Sequence, residues 1–236
     1  MNLFYQPGIP NGIHYLDPEE SRHCSKVLRK KSGDIIQITD GSGNLYHAKL
    51  TDSKNDKCSF KIESTKKESK RAFNIHIAIA PTKNPDRIEW FVEKAIEIGT
   101  DEISFLLCDN SERAALKTDR IEKLAVSAMK QSLQCSRTKI NHMVLLKDFI
   151  TTTNATSKYI AYVDQTNPDH LLKTAAPKSD YIILIGPEGD FSKKELELAI
   201  SHGYTKISLG SNRLRTETAG LVACHILNLI NYEVKI

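Results

Sequence analysis

Two short stretches set glycine, carboxylate and arginine directly after apolar runs. Residues 181–185 lead into Gly186, Pro187, Glu188, Gly189 and Asp190, and residues 206–209 lead into Gly210, Ser211, Asn212, Arg213, Leu214, Arg215, Thr216, Glu217 and Thr218. Glycine after a buried strand lets backbone approach a ligand closely, because it has no Cβ and tolerates positive φ. Arginine beside glutamate supplies a group that stabilises developing negative charge and a group that can move a proton. Between apolar segments each such group needs a partner. A structural Arg215–Glu217 salt bridge is the alternative to a reactive role, and a plain turn is the alternative reading of residues 186–190. Neither stretch is a G-x-G-x-x-G or P-loop pattern, which counts against a nucleotide-dependent oxidoreductase.

The elements around these loops alternate. Strands are predicted at residues 73–80, 103–107, 143–146, 159–163, 181–185 and 206–209. Between them, Asn84 and Pro85 open a helix that Gly99 ends, Thr118 caps a helix to about Gln134, Ser192 with Glu195 caps one ending near Gly203, and the last runs over about 218–231. Such alternation with short apolar strands predicts an α/β fold built on a parallel sheet, where ligands sit beyond the strands' carboxyl ends. Trp90, beside Phe91 on the helix after Pro85, reads as core or interface, with a base-stacking platform as the alternative, and His23 and His47 read as surface or packing residues.

The first third of the chain differs. Residues 1–72 hold 13 Lys and Arg against 9 Asp and Glu, whereas residues 73–236 hold 20 of each. Arg22, Lys26, Arg29, Lys30 and Lys31 fall in the acid-free stretch 21–33. That cluster suits phosphates, whose condensed counterions it would release, and a solvated helix face is the alternative. Asp17, Pro18 and Glu20 read as N-cap, first helical position and capping-box partner of a helix over 18–30, with the basic residues on one side and Val27 and Leu28 packed down. Three β runs follow at 35–39, 45–50 and 58–62, and the polar residues 64–71 read as a linker. The 236-residue chain has 40% hydrophobic side chains and room for two cores. Its five scattered cysteines contain no C-x-x-C pair, so neither a disulfide framework nor a metal site is expected. The opening residues lack a basic-then-apolar leader and no apolar run nears the roughly 18 residues of a membrane span, which predicts a cytoplasmic protein with no membrane partner.

GPEGDFS and LGSNRLRTETA, taken with HCSKVLR, KNPDRIEWFVEKAIEIG and the Gln131–Ser132 dipeptide, resemble the bacterial 16S ribosomal RNA uridine N3-methyltransferase family (RsmE) of the SPOUT superfamily, over nearly the whole chain. The resemblance implies a PUA-like RNA-binding β-barrel at residues 1–70 and, at residues 73–236, a SPOUT methyltransferase domain with a trefoil knot, an exception to the usual rule. It implies a homodimer that uses S-adenosyl-L-methionine on small-subunit ribosomal RNA and does not act on DNA. A non-catalytic RNA-binding ribosome-assembly factor with the same fold is the alternative. Carried over, the cofactor-binding residues are Leu184, Ile185, Gly186, Pro187 and Glu188 on one wall and Leu209, Gly210, Ser211, Leu214, Arg215 and Thr216 on another, with Thr218 behind. Arg215 is expected to stabilise the uracil as N3 loses its proton, with Arg213 as second candidate and Glu217 orienting the arginine or relaying the proton. Arg22, Lys26, Arg29, Lys30 and Lys31 are expected to hold RNA phosphates, and Lys94 and Glu97 to lie toward the cleft. The chain departs from the family pattern at Asp190, where a second glycine is usual, at Asn212–Arg213, usually Arg then Ile, and at Gln134, usually Arg.

Overall fold

The computed structural model describes residues 2–162 and 169–232, which divide into two compact units: Met1–Lys70 with Val126–Arg137, and Arg71–Ala125 with Thr138–Ile236. In the first unit β1 (Leu3–Tyr5), β2 (Ile35–Thr39), β3 (Asn44–Ser53) and β4 (Cys58–Lys67) form one sheet in that order. The strand period of two sends Phe4, Ile36, Ile38, Ala48, Leu50 and Phe60 to one face, where they make a core with Leu16 and Cys24. Between β2 and β3 the chain turns through Gly41 and Gly43 at φ +79° and +86°. Asp40 braces that turn, accepting hydrogen bonds from the Ser42 backbone N–H at 2.8 Å and the Asn44 amide at 2.7 Å.

The basic segment is not the continuous helix expected over 18–30. Asp17 caps α1 (Pro18–Arg22), its carboxylate accepting from the Glu19 and Glu20 N–H groups. A wider π turn over His23–Val27 follows, with the Leu28 N–H donating to the His23 carbonyl at 2.9 Å. Arg29 then takes φ +53° and stops it, and the Lys30 N–H returns to the Cys24 carbonyl. This register buries Cys24 and leaves Val27, expected on the packed side, 68% exposed. Arg29, Lys30 and Lys31 therefore leave the helical face of Arg22 and Lys26. Glu20 spends its carboxylate on Lys130 and not on a capping box.

The expected linker at 64–71 is also corrected, since β4 runs on to Lys67 with Ser64, Thr65, Lys66 and Lys67 opposite His47, Tyr46, Leu45 and Asn44. Ladder pairing needs only backbone groups, so this exposed arm shows no apolar alternation.

In the second unit β5 (Asn74–Ile79), β6 (Glu102–Leu107), β7 (Lys139–Leu145), β8 (Ser157–Ala161), β9 (Asp180–Ile185) and β10 (Thr205–Ile207) form a wholly parallel sheet ordered β10-β8-β9-β5-β6-β7. Helix α2 (Pro85–Ile98) starts at Asn84, whose side chain accepts from the Asp86 N–H, and stops at Gly99 with φ +110°. The capping box of Ser192 and Glu195 opens α6 (Lys193–Ser201). Helix α3 (Thr118–Gln131) includes Thr118, while α4 (Leu146–Thr152) and the short α5 (Leu171–Thr174) answer to no expected element. Helix α7 (Thr216–Ile230) begins two residues before the expected start. Val163, expected at the end of β8, lies outside the described residues. Trp90 is 43% exposed and so is not core, whereas Phe91 is fully buried. All five cysteines are buried thiols. Among the described residues no helix is long and apolar enough to cross a membrane.

Candidate functional site

Because β9 and β8 are neighbours and β10 pairs with β8, the segments leaving their carboxyl ends are brought together. They enclose a cavity of about 800 Å³. Of the residues expected to bind a cofactor, Ile185, Gly186, Pro187, Glu188, Leu209, Gly210, Ser211, Leu214, Arg215 and Thr216 line it. Two do not: Leu184 is buried in the sheet core, and Thr218 lies on α7 away from the lining. Arg213 and Glu217, expected to act in catalysis, also line the cavity, Arg213 from the second loop and Glu217 from the first turn of α7.

Local rules place these groups. Gly210 adopts φ +137°, which disfavours any residue with a Cβ, and Ser208 closes that bend by donating to the Gly210 carbonyl at 3.1 Å. Asp190, at the family's usual glycine position, adopts φ +62°. Its carboxylate accepts from the following Phe191 N–H at 2.8 Å, the local bond that lets aspartate occupy a left-handed position. The two loops are tied together by Thr216 Oγ1, which donates to the Gly186 carbonyl at 3.0 Å, and by Arg213 Nη2, which donates to the Glu188 carbonyl at 3.3 Å.

The alternative of an Arg215–Glu217 salt bridge is not realised. Arg215 is exposed at the N-cap of α7, and the partner of Glu217 is Arg87, with Nε 3.9 Å from Oε1. Glu217 is buried and sits in the first turn of α7, where the helix dipole favours a carboxylate. Its Oε2, like Oε2 of Glu188, is buried with no hydrogen bond among the described residues. Buried polar atoms of this kind normally have partners, and both belong to residues that line the cavity. Glu188 Oε1 is occupied by the Lys83 N–H at 3.0 Å.

Sequence reasoning missed Arg87, Tyr162, His170 and Ser208 on the lining. Arg87 stands in the first turn of α2, far from both loops in sequence, and no local pattern marks it. His170 arrives because it bridges to Ser208. Lys94 and Glu97, expected toward the cleft, do not line it; Lys94 Nζ donates to Glu93 and Glu97 at 2.7 and 2.9 Å, and those two bonds hold the ammonium above its usual pKa. In the first unit Arg22, Lys26, Arg29 and Lys31 are exposed and Lys30 is half-buried.

The family model described as an RNA methyltransferase domain matches residues 68–228, and that of an RNA methyltransferase PUA domain matches residues 16–63. A ribosomal RNA small subunit methyltransferase E from Buchnera aphidicola is 30% identical, covering 95% of this chain and 91% of the relative. A probable rRNA-methyltransferase from Porphyromonas gingivalis superposes with a TM-score of 0.92 at 40% identity, covering 98% of each chain. A small subunit methyltransferase E from Neisseria gonorrhoeae, solved bound to S-adenosyl methionine, shares the fold with a TM-score of 0.87 at 22% identity and 98% coverage of each chain.

Proposed function

The chain belongs to the ribosomal RNA small subunit methyltransferase E family of RNA methyltransferases, and on that premise we propose that it moves a methyl group from S-adenosyl-L-methionine to ring N3 of a uridine in 16S ribosomal RNA. The observation that carries this reading is the convergence of two glycine-led loops and two unpartnered buried carboxylate oxygens on one cavity. Its volume of about 800 Å³ is in the range of small-molecule sites. The residues fit the cofactor. Backbone of Ile185 to Glu188 and of Leu209 to Ser211 reads the flat adenine edge, Leu214 and Thr216 close the second wall, and Leu184 and Thr218 back the two walls from behind.

The bound cofactor supplies a methyl group already activated on a sulfonium, so the protein's work is alignment and removal of a proton. Arg215 is free to turn toward the uracil oxygens and stabilise the charge that develops as the N3 proton leaves. Arg213 is the second cation for that task. Glu217 Oε2 takes or relays the proton, while Arg87 holds the other carboxylate oxygen. Residues 1–70 serve as the PUA-like RNA-binding barrel and residues 73–236 as the knotted SPOUT domain. The enzyme works in the cytoplasm as a homodimer with its sites near the subunit interface. Arg22, Lys26, Arg29, Lys30 and Lys31 grip phosphates flanking a base that leaves its stack.

Small ribosomal subunits from a strain lacking the enzyme, incubated with labelled S-adenosylmethionine and analysed by mass spectrometry, test this. A methyl group at N3 of one uridine is the expected result. Absence of transfer, together with absence of heat when the cofactor is titrated by calorimetry, would leave a non-catalytic assembly factor in its place.

A further inference from the structure

The N-terminal sheet has a second surface that the basic segment does not use. Its inner face is filled by the core that Cys24 and Leu16 join, so α1 and its π turn belong to that side. On the outer face the register sets Lys49 directly opposite Lys61, with Ile35 completing the row on β2. Further along, His47 pairs with Ser64 and Leu45 with Lys66. Lys49, Lys61, Lys66 and Ile35 are all exposed. Among the described residues none of these three lysine side chains has a hydrogen bond or ion pair, although the side chains of Lys54, Lys83, Lys94, Lys130 and Lys139 are each paired with a carboxylate. The acids nearest in the chain are Asp52 for Lys49, Glu63 for Lys61 and Glu68 for Lys66; Asp52 pairs with Lys54, and Glu63 is the extra residue between Ile62 and Ser64 where the ladder bulges.

Like charges directly opposite on adjacent strands destabilise a sheet, at side-chain separations of about 5 Å. A surface that keeps Lys49 against Lys61 and adds Lys66 without an acid paired to any of them gains that energy back when a polyanion lies across it. We propose that this outer sheet face is a second RNA-contact surface, taking the phosphate backbone of ribosomal RNA on Lys49, Lys61 and Lys66 independently of the Arg22 and Lys26 cluster. The proposal rests on the reading of the protein as a ribosomal RNA methyltransferase. The three cations are point charges suited to phosphates, so the contact is to backbone and adds affinity and orientation without sequence preference.

The test uses the full chain, small-subunit ribosomal RNA and three proteins: wild type, the triple variant K49Q/K61Q/K66Q and the double variant R22Q/K26Q. Each neutralised phosphate contributes about 0.7–0.9 to the slope of log affinity against log salt, so the triple variant should lose roughly 2 from the slope, with unchanged S-adenosylmethionine affinity and a thermal midpoint no lower than the parent's, because the Lys49–Lys61 repulsion is relieved. The double variant should lose its own share separately, the two losses adding in the combined protein. Wild-type slope and affinity in the triple variant would overturn the second surface while leaving the methyltransferase reading intact. So would normal binding to bare RNA with reduced turnover on assembled subunits, which would assign the face to a ribosomal protein. Failure of the wild type itself to bind or methylate the RNA would instead remove the reading on which the proposal stands.

Discussion

Gly220 is the point where packing and chemistry meet. It lies one helical turn beyond Thr216, and a Cβ added there would sit 2.6 Å from Phe91 Cε2, 3.1 Å from Phe91 Cδ2 and 3.0 Å from Ile79 Cδ1. Phe91 and Ile79 are fully buried, and close-packed interiors leave such rings little room to move. Overpacking of this kind costs roughly 1–3 kcal/mol, while alanine gains up to about 1 kcal/mol over glycine in a helix interior. Gly220→Ala should therefore destabilise the protein by up to about 2 kcal/mol, which for a chain of this length lowers the thermal midpoint by up to about 8 °C. To restore ordinary carbon contacts near 3.5 Å, α7 must retreat from α2 by up to about 1 Å. That retreat would stretch the 3.0 Å bond from Thr216 to Gly186 and the 3.9 Å pair of Glu217 with Arg87. S-adenosylmethionine affinity should then fall by up to about tenfold, a cost of about 1.4 kcal/mol. Differential scanning calorimetry and cofactor titration measure the two effects. A variant as stable as the parent, binding cofactor equally well, would refute the claim that the close approach of α7 to α2 sets the site.

Three further outcomes are expected. Arg215→Ala should abolish turnover in a methyl-transfer assay while cofactor affinity stays nearly unchanged, because the arginine is exposed and braces no loop; wild-type turnover would discard its role. Glu217→Gln keeps the shape of the side chain but cannot accept a proton, so single-turnover rates should fall by about 10²–10⁴, and Arg87→Gln should lower the rate by a smaller factor that Arg87→Lys partly restores. Burial pulls His76 from 6.5 down to about 4, with its ring bonded to Ser104 at 2.8 Å. Because the folded state resists protonation, stability is fully present above about pH 6.5 and is lost as pH falls from there toward 4, by at most about 3 kcal/mol. Urea titrations from pH 7 to pH 4 should trace that loss, and His76→Gln should flatten it.

Much of this molecule is written in local sequence. The caps at Asn84 and Ser192, the stop at Gly99 and the apolar run of residues 181–185 appear where their patterns put them, because capping and period are decided within a few residues. The two glycine-led loops were legible for the same reason. The basic segment was not, since burial of Cys24 in the sheet core, and no preference of its own, widens the helix and turns Arg29 left-handed. The arm of β4 was hidden because backbone pairing asks nothing of exposed side chains.

The sequence by itself determined that two glycine-led bends carrying arginine and glutamate follow apolar strands. Only the tertiary structure decided who answers whom. Strand order puts the ends of β8, β9 and β10 side by side, and the docking of α7 on α2 gives Glu217 to Arg87 in place of its near neighbour Arg215. Arg215 caps the helix in extended backbone while Glu217 sits within its first turn, and the ion pair of Glu217 is made with a residue 130 positions away in the chain.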